Sequence, residues 1–226
     1  MKRISTALAA LLVCAGAQAA TVSFEYGVPL VQSPTDFSQN GTLGLFNTAL
    51  GTLTGASIEL FGATTFTYFG TNAANAGAAT SARINVSTDL SFDSSINAMD
   101  SFLGAGLSFA TTSGVQSYAI GQTRNFGPTA QTDSLTADLA SILASVQAAG
   151  GGNFTLNCTT LSGIGVVGGG GFFNAGQTTT AGCGARIVYT YTAAPPPPTG
   201  VPEPTSLALV GLALVGAGAV SRRRKA

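Results

Sequence analysis

Between Ala20 and Ala193, hydrophobic positions mostly alternate with polar ones, and this period of two predicts β-strands. Five stretches show it: Thr21–Tyr26, Ser57–Phe69, Arg83–Leu90, Phe154–Val167 and Arg186–Thr192. Clusters of Gly, Asn and Ser separate them, as is typical of turns. In the second stretch, four apolar residues share one parity, namely Ile58, Leu60, Phe66 and Tyr68. The Gly62-Ala63 pair between them predicts a bend or bulge.

One segment, Asp133–Gly150, has a different period and predicts a helix. Its apolar residues fall on one helical face: Leu135, Leu139, Ile142, Leu143 and Val146. Asp133 can cap the start of this helix and Gly150 can close its end. The predicted fold is therefore mainly β, an antiparallel β-sandwich of residues 20–193 that carries one amphipathic helix.

The first 19 residues have the pattern of a secretory signal peptide. Met1-Lys2-Arg3 is positively charged, Ile4–Ala17 is a short apolar core, and Ala17-Gln18-Ala19 has small residues where signal peptidase needs them. Cleavage is expected between Ala19 and Ala20, after entry into the Sec translocon. A lipid attached at Cys14 is the alternative, but the β-branched Val13 does not fit the small residue that a lipobox has there.

The last 26 residues combine a short motif, an apolar run and a basic end. Val201-Pro202-Glu203-Pro204 precedes the apolar run Leu207–Val220, and four cations follow it: Arg222, Arg223, Arg224 and Lys225. A helix between Pro204 and Arg222 covers about 25 Å, the low end of what crosses a bilayer. A run this short also fits a buried core helix. The signal peptide and the basic stop favour a transmembrane anchor with cytoplasmic cations.

This tail, residues 201–226, resembles the PEP-CTERM sorting signal of Gram-negative bacteria, the substrate of membrane peptidases called exosortases. The resemblance implies that Pro202, Glu203 and Pro204 form the recognition motif, held extended just outside the membrane. It also implies transient anchoring in the inner membrane, followed by release to the cell surface or extracellular matrix. Residues 194–200, which contain four consecutive prolines, form a linker that extends roughly 20 Å.

The exported domain itself is similar to the choice-of-anchor E family. The similarity lies in Phe46–Thr54, in Ala137-Asp138-Leu139 and in the closing Val188–Thr192, and it spans most of Leu43–Thr192. The similarity implies an extracellular β-sandwich paired with a surface anchor. No activity is established for the family, so the similarity implies none. The predicted helix and the cysteine pair depart from the family pattern.

Charge excludes one large class of partners. The chain has nine Lys+Arg and nine Asp+Glu, but six of the cations lie in the two sorting segments. The exported part keeps three arginines against nine acids, a net charge of −6 if Glu203 is retained. Because a duplex-binding protein needs several cations to neutralise phosphates, we expect no nucleic acid partner.

Two cysteines, Cys158 and Cys183, remain once Cys14 leaves with the signal peptide. An oxidising compartment favours a disulfide between them. Closing a loop of about 25 residues contributes roughly 3 kcal/mol in the chain-entropy model. The loop contains Gly168–Gly171, which the bond would restrain. A metal site is the alternative, but two cysteines without any histidine make a poor one.

The sequence offers little for catalysis, and we expect neither an enzyme nor a cofactor. It has no histidine, and its exported part has no lysine. Gly163–Gly168 matches G-x-G-x-x-G, but glycines follow it instead of a helix, so it reads as a flexible loop. Two carboxylate pairs are glycosidase candidates, Asp89 with Asp93 and Asp133 with Asp138. Calcium at Asp89, Asp93 and Asp100 lacks the glycine and terminal glutamate of a loop site.

Two function classes follow from these patterns. The first is a structural protein of the cell surface or of an exopolysaccharide matrix, as in biofilms. The second is a module that binds sugar or ice through exposed rows, namely Thr64, Thr65, Thr67, Tyr68, Phe69, Tyr189 and Tyr191. Some ice-binding proteins carry a similar tail. A flat, solvent-facing threonine array supports the second class, whereas burial opposes it. A glycosidase is third and requires two carboxylates facing each other across a groove.

Overall fold

The computed structural model describes residues 19–195 and Leu212. The predicted signal peptide up to Gln18, most of the linker, the sorting motif and the anchor helix lie outside these residues. The chain divides into two compact units, Met1–Ala194 and Pro195–Ala226. Within residues 19–195, no helix has the length and hydrophobicity needed to cross a membrane.

The first unit is built almost entirely from strands. In chain order these are β1 (Ala19–Tyr26), β2 (Ser33–Pro34), β3 (Ser38–Gly44), β4 (Phe46–Asn47), β5 (Gly51–Asn72), β6 (Thr80–Ser94), β7 (Leu107–Tyr118), β8 (Thr123–Asp138), β9 (Gln147–Ala148), β10 (Asn153–Gly168) and β11 (Phe173–Ala193). The helical elements are short: α1 (Asp100–Leu103) and three 3-10 turns at Thr48–Leu50, Asn97–Met99 and Ala140–Ser145. The prediction of a mainly β fold is confirmed.

Two antiparallel sheets form the body of the domain. Sheet A has the order β1-β11-β5-β8, with β2 also paired to β11, and sheet B has the order β3-β10-β6-β7. The small β4–β9 pair is parallel. Successive long strands alternate between the sheets except for β6 and β7, which are neighbours in sheet B. This is the order of a jelly roll, which is built from two Greek keys.

The two sheets pack face to face over one hydrophobic core. The four β5 residues predicted to share a parity are all buried, namely Ile58, Leu60, Phe66 and Tyr68. The Tyr189 hydroxyl on sheet A donates a hydrogen bond of 2.8 Å to the carbonyl of Gly44 on sheet B. The antiparallel strands and the shared core agree with the predicted sandwich.

The prediction of a bend or bulge at Gly62-Ala63 is wrong. Strand β5 continues through this pair, and its register shift lies between Phe66 and Tyr68. Gly62 has a packing role instead, because a Cβ there would lie 2.8 Å from Leu107 Cδ1 on the facing sheet.

The predicted helix over Asp133–Gly150 is also wrong. Residues up to Asp138 belong to β8, where Leu135 pairs with Leu60 of β5. The apolar positions fit a helix, but the outer edge of β5 offers backbone partners from Ser57 to Thr71, and this pairing overrides the local pattern. Beyond Leu139 the chain makes only a 3-10 turn, and Leu139 and Val146 fill the core at its two ends.

Candidate functional site

The sorting residues Pro202, Glu203 and Pro204 and the basic stop Arg222–Lys225 lie outside the described residues. The residues on either side of the predicted signal cleavage site are described. Ala19 and Ala20 begin β1 and pair with Thr192 and Tyr191 at the end of β11. Cleavage between them would leave Ala20 as the first residue of an already paired strand.

The cysteine pair lies in the core between the sheets. Cys158 of β10 and Cys183 of β11 are both buried, their Cα atoms are 6.6 Å apart, and their sulfur atoms are at disulfide distance. The bond joins sheet B to sheet A across the sandwich. Within residues 19–195, no group of three or more Cys, Asp or Glu is placed to hold a metal ion.

The carboxylate pairs do not form a hydrolytic site. Asp89 and Asp93 lie four residues apart on β6, which is roughly 13 Å along a strand and beyond the spacing that glycosidases use. Asp89 accepts a 2.6 Å hydrogen bond from Ser108 Oγ. Asp133 and Asp138 lie five residues apart on β8, on opposite faces. Asp138 caps the following 3-10 turn, accepting a 2.8 Å hydrogen bond from Ala140 N.

Asp100, the third candidate for calcium, accepts a 3.0 Å hydrogen bond from Ser94 N. It stands at the start of α1, where its carboxylate ties the helix to the end of β6. This is a local structural contact within one connection.

The residues of the predicted binding rows are divided between the two faces of sheet A. Thr64, Tyr68 and Tyr189 are buried in the core, whereas Thr67 and Phe69 are exposed. Tyr191 is half-buried. Burial of three of the seven residues is the outcome that opposes the second function class.

The outward face does carry a smaller threonine ladder, which includes two residues missed by sequence reasoning. Thr180 of β11 lies opposite Thr65, and Thr178 lies opposite Thr67. These partners can be found only once the pairing of β5 with β11 is known. Phe69, 41% exposed, interrupts the surface next to the ladder, its ring lying over Gly176.

Sheet B has the more distinctive outer surface, a trough of about 590 Å³ across three strands. We call it the small-residue trough. Two cross-strand rows form its floor: Gly163-Ser87-Ala110 and Gly165-Asn85-Thr112. Gly165 leaves the floor open, because a Cβ at this position would meet no atom within 4 Å.

Larger residues stand in the next row on each side of the trough. Leu161 and Asp89 flank one side, and Val167 and Arg83 flank the other. The trough therefore has neutral hydroxyl and amide groups on its floor and opposite charges at its two flanks. Its lining contains no aromatic ring, so it offers hydrogen bonds rather than stacking to a ligand.

Two tyrosines with raised pKa values lie where the two sheets pack together. Burial raises the pKa of Tyr26 to about 12 and also raises the pKa of Tyr189. Tyr26 packs over Gly41 of β3, since a Cβ on that glycine would overlap the ring. These shifts therefore report the packing of the two sheets.

The described chain is thus an antiparallel β-sandwich whose sheets are joined by a cysteine pair. Residues 200–225 match the family model described as the PEP-CTERM protein-sorting motif. This motif marks exported proteins that are processed by exosortase after a membrane-anchored transient state. The match covers the tail, and the resemblance of residues 43–192 to the choice-of-anchor E family stays a prediction.

No curated protein matches the chain. Among solved structures, the empty head of turnip yellow mosaic virus is 10% identical with a TM-score of 0.22, covering 88% of this chain and 95% of that one. A mud crab tombus-like virus is 7% identical with a TM-score of 0.23, covering 90% and 97%. The Gx strain of infectious bursal disease virus is 12% identical with a TM-score of 0.19, covering 81% and 36%. Likenesses at this level carry no argument about function.

Proposed function

We propose that this chain is a structural, non-enzymatic protein of the cell surface or of an exopolysaccharide matrix. The sorting motif at residues 200–225 is the observation that carries the proposal. An exosortase-type peptidase is the partner that the motif requires, and the inner membrane holds the chain until processing.

The domain supports a structural role in two ways. Its candidate carboxylates make structural contacts, such as Asp138 with Ala140 N and Asp89 with Ser108 Oγ, and their spacing does not suit hydrolysis. Its two sheets are joined by a buried cysteine pair, and such a bond restrains the unfolded chain in the oxidising space outside the cytoplasm.

A carbohydrate-binding module is the second candidate, and the small-residue trough favours it. Ser87 and Asn85 present hydroxyl and amide groups on the floor, and Gly165 adds no side chain to it. The Thr112 hydroxyl beside them is already bonded, because it donates to the Ile84 carbonyl at 3.1 Å and accepts from Gly114 N at 3.2 Å. A neutral saccharide chain has the matching donors and acceptors. Binding of ice has less support, because the threonine ladder is interrupted by Phe69.

Intact mass and cell fractionation of the native protein test the main proposal. The variant Glu203→Ala removes the acid of the motif, and Asp93→Ala, an exposed acid of the domain, is its matched control. We expect the wild type and the control to lose their tails and leave the membrane, while Glu203→Ala accumulates there uncut. If all three keep the tail, processing and matrix release are both wrong, and the domain is a membrane-tethered module.

Pull-down by purified exopolysaccharide tests the second candidate. Ala110→Phe fills the trough from β7, and Ala119→Phe, exposed in the turn after β7, is the matched control. Loss of retention in the first variant alone supports a glycan site at the trough. Equal retention of both would remove the trough from consideration.

A further inference from the structure

Strand β10 is longer than its neighbour β3, and the end of one edge, from Gly163 to Gly168, is left open. It pairs with β3 only over Asn153–Thr159, but with β6 as far as Gly168. Just beyond β3, Ser162 N donates to Asp36 Oδ1 at 3.0 Å, so its N–H points away from β6. Because these directions alternate along a strand, the backbone groups of Ile164 and Val166 point to the same open side. Within residues 19–195, no strand pairs with this edge.

The side chains along this open edge, Gly163–Gly168, are unusually apolar for a solvent-facing segment. Ile164 and Val166 share the inward parity of the buried Cys158, yet they are 40% and 41% exposed because β3 does not reach them. Twelve large hydrophobic residues are exposed in the part of the chain that the structure describes, and five of them lie between Leu161 and Phe172. Such a concentration is typical of an interaction site.

Three other outer strands carry features that discourage pairing, and the open edge does not; the fourth, β3, is only seven residues long. Strand β8 has Gly127-Pro128 beside its register shift, β7 has a register shift opposite Arg83, and β1 carries Glu25. Prolines, charges and irregularities of this kind protect sheet edges from added strands. Gly163–Gly168 contains no proline, no charge and no register shift.

We propose that the open edge pairs antiparallel with the same edge of a second copy of this chain, about a two-fold axis at Gly165. In this register Ile164 lies opposite the partner's Val166, and both residues direct their backbone groups across the junction. Gly165 lies opposite the partner's Gly165. The contact is self-complementary, as a two-fold interface requires.

Two features of the edge favour a second copy over another extended peptide. First, in this register the turn that follows β10 in the second copy passes Asp36 of the first copy. That turn is Gly168–Gly171, and it has no side chains that could collide with Asp36. Second, the trough row Thr112-Asn85-Gly165 continues across the axis into the same row of the partner. The pairing therefore joins two short troughs into one longer groove.

Cysteine cross-linking of the full exported chain tests this pairing. Gly165→Cys places a thiol on the axis, where opposing Cα atoms in a non-hydrogen-bonded pair are about 4.5 Å apart, within disulfide range. The glycine has room for a Cβ. Val115→Cys, 72% exposed on the other edge of sheet B, is the matched control for random collision. We expect a reducible dimer from Gly165→Cys and little from Val115→Cys.

A second variant separates strand pairing from mere proximity. Ile164→Pro removes an N–H that points to the open side, so β10 keeps its bonds to β6. In the double variant Ile164→Pro/Gly165→Cys, the dimer should be abolished while the Cys158–Cys183 bond still forms. Mass spectrometry after alkylation of free thiols verifies that this bond is intact. The proposal is overturned if Gly165→Cys cross-links no more than Val115→Cys, if the proline leaves the dimer unchanged, or if the cross-linked product contains a different protein. None of these outcomes depends on tail processing.

Discussion

Removal of the Cys158–Cys183 bond should lower the free energy of unfolding substantially while changing only two side chains of the core. The bond joins strands of opposite sheets and closes a loop of 25 residues that includes the Gly168–Gly171 turn. In the unfolded chain this closure removes conformational freedom worth about 3 kcal/mol. The double variant Cys158→Ala/Cys183→Ala should be destabilised by about that amount.

For a domain of this size, 1 kcal/mol corresponds to about 2–4 °C in Tm. The expected decrease is therefore about 10 °C, measured by circular dichroism on the exported chain. Reduction of the wild type supplies the control, because it breaks the bond without truncating a side chain. Similar decreases in both samples attribute the effect to loop closure. An unchanged Tm in the reduced wild type would refute the reasoning.

Two further predictions concern buried tyrosines. Tyr189→Phe removes the hydrogen bond to Gly44 and should cost about 1–2 kcal/mol, seen as a lower urea midpoint; half-buried Tyr191→Phe is its control, and equal midpoints would contradict the prediction. Burial raises the pKa of Tyr26 from 10.0 to about 12. Between these two pH values the folded protein keeps the phenolic proton, whereas the unfolded chain loses it. That stabilisation is complete below pH 10 and is lost as the pH rises to 12. Tyr26→Phe should weaken the alkaline fall of the urea midpoint, and an identical pH slope would exclude this role.

The sequence predicted the parts of the fold in which side-chain alternation is strong. Stretches such as Arg83–Leu90 and Phe154–Val167 lie inside the longer β6 and β10, with the expected residues buried. It did not predict β3 or β7. Ser38–Gly44 has two glycines and mostly small polar residues, and it is held by pairing with β10 rather than by its own pattern.

The same limit explains what was missed in the site. The trough depends on Gly165, Asn85 and Thr112 lying in one row, and three distant segments meet there only through sheet register. The helix error at Leu135–Val146 has the same origin, because spacing along one chain cannot reveal a neighbouring strand. The sorting signal in the tail could be predicted because it depends only on sequence order: a motif, an apolar run and a basic end.

The position of β11 has a mechanical consequence. Any tension on the tail enters the domain at Ala193, the last residue of a strand flanked by β1 on one side and β5 on the other. A pull along β11 loads the hydrogen bonds to both neighbours in shear, so many must fail together. Cys183 then links the strand to the opposite sheet, so a load that reaches this residue passes through the disulfide to Cys158 of β10. A load along β11 is thus shared between the two sheets through one covalent bond.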